Sequence, residues 1–253
     1  MYVGLIFITV FGFPSSSELP IEGRNLAFLD QRLALDWVQR NIHVFGGDPS
    51  KVTIFGESAG SFSVDVLLTS FPKDSRPPFR AAIMQSGQIS YRGHPAPGLL
   101  YPDSTPAWEA LVDALNCTKG QSDLACVRQA PVLTVKDIIE KQSLIFNPVY
   151  DNVTLNANAA RDRASGNIAP IPTLGGTDAQ EGRFTILSQN NTTAYLDNII
   201  GDQPPEVRAN IEAAYPVGGW EFPTAFDAIA QMETEVVFHC VSLSVQPGIM
   251  KFH

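Results

Sequence analysis

Apolar and polar positions change period several times along this chain, and each change marks an element. Leu26, Leu29, Leu33, Ala34, Trp37 and Val38 recur at three- and four-residue steps, which predicts a helix burying one stripe. Asn25 stands where a helix N-cap is expected, and Phe45-Gly46-Gly47-Asp48-Pro49 supplies the stop. Residues 52–55 then read as a buried strand, 61–68 as the start of a buried helix, 71–78 as a loop and 81–85 as a second buried strand. Strand, helix, strand at this spacing predicts a right-handed crossover within a parallel sheet, hence an α/β fold.

Either side of that unit the pattern is weaker. Residues 1–13 form an apolar run too short to span a bilayer, with no Lys or Arg before Arg24, and read as a buried strand rather than as a signal peptide. Residues 90–106 are rich in Pro and Gly and have no period. Trp108, Leu111, Val112 and Leu115 mark a helix and residues 135–144 another, with a cysteine-bearing loop between them; such insertions suit a cap over an active site. Residues 168–177 read as a short strand leading into Asp178-Ala179-Gln180-Glu181-Gly182, and active-site groups of doubly wound sheets stand at such strand ends. The remainder to Glu235 reads as polar loops and surface helices.

Composition narrows the function. A hydrophobic fraction of 44% with 17% charged residues over 253 residues describes a globular chain able to bury a core, read as a single domain over 1–253. A formal charge of −9 argues against nucleic acid or an anionic membrane as partner, since both demand basic patches.

The candidate chemistry lies between the first strand and its helix, where Gly56-Glu57-Ser58-Ala59-Gly60 forms a G-x-S-x-G elbow. Such a turn holds the Ser58 hydroxyl out at the carboxyl edge of the sheet, with Gly56 and Gly60 leaving room for close backbone approach. The Ala59 N–H, at the start of the helix, points where an oxyanion would form. Cys117 and Cys126 could close a small loop; zinc is the competing use, but no C-x-x-C and no neighbouring histidine supports it. Sequons at Asn116, Asn152, Asn190 and Asn191 lie in polar segments and are usable glycosylation sites in a secretory pathway, which favours an extracellular protein.

The run from Asn25 to Gly60, NLAFLDQRLALDWVQRNIHVFGGDPSKVTIFGESAG, resembles the type-B carboxylesterase and lipase family, which includes cholinesterases and fungal extracellular lipases. Val10-Phe11-Gly12-Phe13, residues 81–87, the Cys117 and Cys126 pair, residues 146–151 and residues 177–182 agree with it. The resemblance implies an α/β-hydrolase fold, a serine ester hydrolase with Ser58 as nucleophile, Ala59 as one oxyanion donor and Glu181 as the acid orienting a histidine. It further implies a Cys117–Cys126 disulfide, a small-molecule or lipid ester substrate, and no metal or cofactor. The family's usual aspartate before the acid is Gln180 here. Two family parts are not recognisable: the glycine-rich oxyanion segment before Ser58, and a histidine in matching context after Glu181. His239 falls where the family has an apolar stretch before a cysteine, here Cys240, and His253 ends an unmatched tail over 241–253. These gaps imply a fragment, incomplete at both ends and nearly inactive as written, with a non-catalytic adhesion protein of the same family as the alternative. No G-x-G-x-x-G follows an early strand, which counts against a dinucleotide enzyme.

Overall fold

Three short runs of small and β-branched residues pair into one parallel sheet. The computed structural model describes residues 9–87, 103–118, 120–201 and 203–239. Within them β1 (Thr53–Glu57), β2 (Ala81–Gln85) and β3 (Thr173–Gly176) lie in the order β1-β2-β3. Register sets Glu57 beside Gln85 and Gln85 beside Gly176, so the three strands end level. α2 (Ala59–Thr69) leaves β1 without a loop and lies against the sheet, where Val64 packs with Ala82, Met84 and Ile54. Because side chains alternate along a strand, the intervening positions face the other way. That face is open among the described residues: Phe55 is 63% exposed and Leu174 64%. The first strand is therefore covered on one face, not buried on both as its apolar run suggested.

The helix before the elbow shows the same departure. α1 (Leu26–Asn41) forms where its period places it, continues into a 3-10 turn (Ile42–Phe45), and stops at Gly46, whose φ of 78° is left-handed. Yet Leu33 and Trp37 are exposed, and only Phe28 of this helix is fully buried. Periodicity identified an apolar side; it carried no information on what covers that side. Asn25 precedes the helix but does not cap it. Its side chain instead donates to the Val149 carbonyl (2.7 Å) and to Thr154 Oγ1 (2.9 Å), and accepts the Val149 N–H (2.9 Å).

Three further apolar clusters lie among the described residues, one of them Leu67, Leu68 and Phe79 at the far end of α2. α3 (Thr105–Ala114), α4 (Asp123–Gln129) and α5 (Val132–Gln142) enclose Trp108, Leu111, Val112 and Val135 with Val10, Phe13, Phe28, Phe146 and Leu155. The segment between the two cysteines, a loop by its sequence, ends in the start of α4, capped by the Ser122 hydroxyl accepting the Ala125 N–H (3.0 Å). Residues 9–13 are a turn rather than strand, with both Gly12 and Phe13 N–H donating to Thr9 O; residues 1–8 and most of 90–106 lie outside the described residues. α6 (Ala159–Ala164) is tied to α2 by the Arg163–Asp65 ion pair, both side chains largely buried. After the short α7 (Gly182–Thr185) come α8 (Thr192–Ile200), α9 (Pro205–Ala214) and α10 (Ala225–Glu233). These are more than surface helices: Leu196, Ala228 and Ile229 are wholly buried in a cluster of their own.

Candidate active site

Ser58 joins β1 to α2 with φ 51° and ψ −121°, a conformation that costs an L residue about 1–3 kcal/mol and persists only where its surroundings impose it. Those surroundings are specific. The Ser58 N–H donates to Gln85 O (2.9 Å) and its carbonyl accepts the Phe62 N–H (3.0 Å). A Cβ on Gly56 would lie 2.3 Å from the Gly60 carbonyl, and one on Gly87 would lie 2.7 Å from Ser58 O. The Ser61 hydroxyl, fully buried, donates to the Gly87 carbonyl and pins the chain after β2 against the elbow. Gly60 plays a different part from the one its place in the motif suggested: among the described residues a Cβ there meets nothing within 4 Å, so it matters as the backbone that Gly56 abuts. Ser58 itself is exposed. Ala59 opens α2, and the first N–H groups of a helix have no partner within it.

Glu181 follows β3 and immediately precedes α7. Its carboxylate accepts the Asp178 N–H (2.8 Å) and closes the turn that leads out of the sheet. The next residue, Gly182, is buried; its N–H donates to Thr234 Oγ1 (2.8 Å), and a Cβ on it would sit 2.1 Å from Ala230 O. Level strand ends put the elbow and this turn on the same carboxyl edge with β2 between them, the ends of β1 and β3 lying two strand spacings, or about 10 Å, apart. Ser86, at φ 55°, donates its N–H to Gly176 O (2.8 Å) and carries the register past the strand ends.

Two histidines lie among the described residues. His43 is exposed in the turn after α1. His239 ends a π-helical turn (Thr234–His239), and its Nε2 lies 3.0 Å from the Asp178 carbonyl, at the turn that bears Glu181. Sequence context gave no sign of that proximity. Nor did it mark Thr234, whose role is set by a contact between distant segments. His94, Cys240, His253 and the tail over 241–253 lie outside the described residues.

Cys117 and Cys126 are bonded, with Cα atoms 5.9 Å apart, so neither sulfur is left as a zinc ligand. Asn116, Asn152, Asn190 and Asn191 are all exposed. The Asn191 side chain caps α8 by accepting the Ala194 N–H (3.0 Å) through Oδ1, which leaves its Nδ2 free of that bond. No group of three or more His, Cys, Asp or Glu among the described residues could hold a metal ion, and no described helix is long and apolar enough to cross a membrane.

Comparison with known proteins places this geometry. A model of the carboxylesterase family matches residues 8–217. Secreted lipase 1 of Botryotinia fuckeliana is 34% identical over 239 residues, covering 84% of this chain and 41% of the lipase. Liver carboxylesterase 1F of Rattus norvegicus is 36% identical over 188 residues, 68% of this chain and 32% of that protein. The chain thus spans less than half the length of these relatives. The crystal structure of Aspergillus niger EstA superimposes with a TM-score of 0.73 over 94% of this chain and 48% of its own, at 22% identity, and shares the fold. With an elbow serine, a parallel sheet and a match across most of its length, the chain belongs to the carboxylesterase family.

Proposed function

We propose that the protein hydrolyses carboxylic esters through an acyl-enzyme on Ser58. The observation that carries this reading is the Ser58 backbone: a strained, left-handed serine, exposed at the sheet's carboxyl edge and clamped by Gly56, Gln85 and Gly87. In the reaction the Ser58 hydroxyl attacks the ester carbonyl while a histidine takes its proton. The Ala59 N–H donates to the developing oxyanion, and Glu181, on the same edge, orients the imidazole. The alcohol leaves with the proton held by the histidine, and water then attacks the acyl group and frees Ser58. Neither that histidine nor a further oxyanion donor is assigned among residues 1–253, and the chain spans less than half the length of these relatives. Likeness to a secreted lipase, a disulfide and exposed sequons support an extracellular location with glycans on some of Asn116, Asn152, Asn190 and Asn191.

The test uses a fluorophosphonate probe and p-nitrophenyl butyrate on the complete protein. Labelling of Ser58, with turnover lost in Ser58→Ala, is the expected result. A folded complete protein that neither labels nor turns over any ester favours the non-catalytic member of the family and overturns this reading. Residues 1–253 alone should hydrolyse the ester at roughly one-millionth of the complete protein's rate, the loss that follows removal of the histidine from such a triad, about 8 kcal/mol of barrier.

A further inference from the structure

The turn bearing Glu181 is held by one residue that no motif marks. Thr234 ends α10 with its side chain wholly buried. Its hydroxyl donates to the Ala230 carbonyl one turn back (2.7 Å), the usual use of a threonine hydroxyl on a helix, and this leaves a lone pair of Oγ1 pointing outward. The Gly182 N–H donates to that lone pair at 2.8 Å, a buried bond between residues 52 apart in sequence. Gly182 fits there because it has no side chain. A Cβ would lie 2.1 Å from Ala230 O and 2.9 Å from Glu233 Cβ, so the backbone immediately after Glu181 rests directly on α10.

The residues either side of Thr234 fasten the same helix end to other elements. Glu233 accepts the Tyr195 hydroxyl of α8 (2.6 Å), while Glu235 accepts the Tyr215 hydroxyl after α9 and the Gln231 amide (2.7 Å). The α-helix passes here into a π-helical turn, Thr234–His239, an irregularity found often at functional sites. Burial, and then the Glu233 carboxylate, push the Tyr195 phenol well above its ordinary pKa, so it remains a hydrogen-bond donor at any physiological pH.

We propose that Thr234 is a positioning residue for the catalytic acid: its hydroxyl fixes the Gly182 N–H, and through it the direction in which Glu181 leaves the sheet. The proposal rests on the assignment of Glu181 as acid. A valine at 234 keeps the shape but removes the acceptor, leaving a buried N–H without a partner and freeing the turn to shift. Displacement of a catalytic group by about 1 Å can cost up to a hundredfold in rate, and the loss falls on the chemical step rather than on substrate binding.

The experiment compares Thr234→Val, Thr234→Cys and Thr234→Ser in the complete protein with p-nitrophenyl butyrate, each rate expressed per site titrated by fluorophosphonate so that unfolded protein is not counted. Thr234→Val is expected to lower kcat roughly 10- to 100-fold with KM within about twofold. Thr234→Ser, which keeps the hydroxyl, should stay within about threefold of wild type, and Thr234→Cys, a weak acceptor, should fall between; the Cys and Ser pair decides the matter if the valine variant does not fold. Equal kcat per titrated site in all variants would overturn the proposal, as would a serine variant as impaired as the valine. If the wild-type protein neither labels nor turns over ester, the acid assignment fails first and takes the proposal with it; a working wild type with indifferent variants sinks the proposal alone.

Discussion

At single positions the elbow separates two glycines that a motif treats alike. Gly56→Ala puts a methyl 2.3 Å from the Gly60 carbonyl, a backbone group that cannot turn aside, and should destabilise by about 1–3 kcal/mol or more. Gly60→Ala meets open space inside α2, where alanine is favoured over glycine by about 1 kcal/mol. Urea unfolding of both variants of the complete protein checks the contrast, and similar losses in the two would contradict it. Asp151 makes a second residue-scale case. Burial would raise its pKa, but the Leu155, Val153 and Thr154 N–H groups and the Thr154 hydroxyl together outweigh burial and hold it below the ordinary 3.8. A folded pKa below the unfolded one means stability that is present above the unfolded value and is lost as pH falls through the folded one. Asp151→Asn, which swaps an acceptor for a donor, should therefore cost about 1.5–3 kcal/mol at pH 7, with the gap from wild type narrowing below about pH 4 in denaturant titrations.

Among elements, the disulfide ties the loop after α3 to the first turns of α4, with Cys117 at the margin of the cluster around Trp108 and Leu111. A bond closing so short a loop contributes roughly 2.5 kcal/mol by restricting the unfolded chain. The double variant Cys117→Ala, Cys126→Ala should lose about that much in chemical unfolding, and no loss would show that the short α4 is held by its contacts alone. What was legible in the sequence at this scale was local. β1, the elbow, α2 and β2 announce themselves because their period and turn chemistry lie within a few residues of one another. The Thr234–Gly182 bond, the Asn25 bridge to Val149 and Thr154, and the contact of His239 with Asp178 join segments far apart in the chain, and no local pattern encodes them. Residues 183–235 read as polar loops and surface helices because their polar positions dominate by count, while α8 and α10 each turn a narrow stripe, Tyr195 and Leu196 on one, Ala228, Ile229 and Met232 on the other, toward a shared interior.

For the molecule as a whole, what matters is the distribution of apolar surface. Phe55 and Leu174 project from the sheet face opposite α2, and α1 carries Leu33 and Trp37 on its exposed side with Val44 and Phe45 just beyond; the Trp37 and Phe45 rings stand 6.0 Å apart. Folded monomers rarely leave contiguous apolar patches of more than about 300–600 Å² open to water. The sheet adds a second exposure, since β1 and β3 are both edges among the described residues, and β1 holds no proline or lysine to discourage pairing with another strand. A charge of −9 opposes association, but over distances beyond about 8 Å it is screened at physiological salt, while edge pairing and apolar contact act at shorter range. Residues 1–253 expressed alone should thus enhance the fluorescence of anilinonaphthalene sulfonate and sediment as associated species. Replacing both Phe55 and Leu174 by lysine in the isolated chain puts charge on that face without touching the core beneath α2. The dye signal and the associated fraction should both fall, and if neither moves, the open face of the sheet is not where the isolated chain self-associates and the apolar side of α1 and the edges of β1 and β3 are left as the cause.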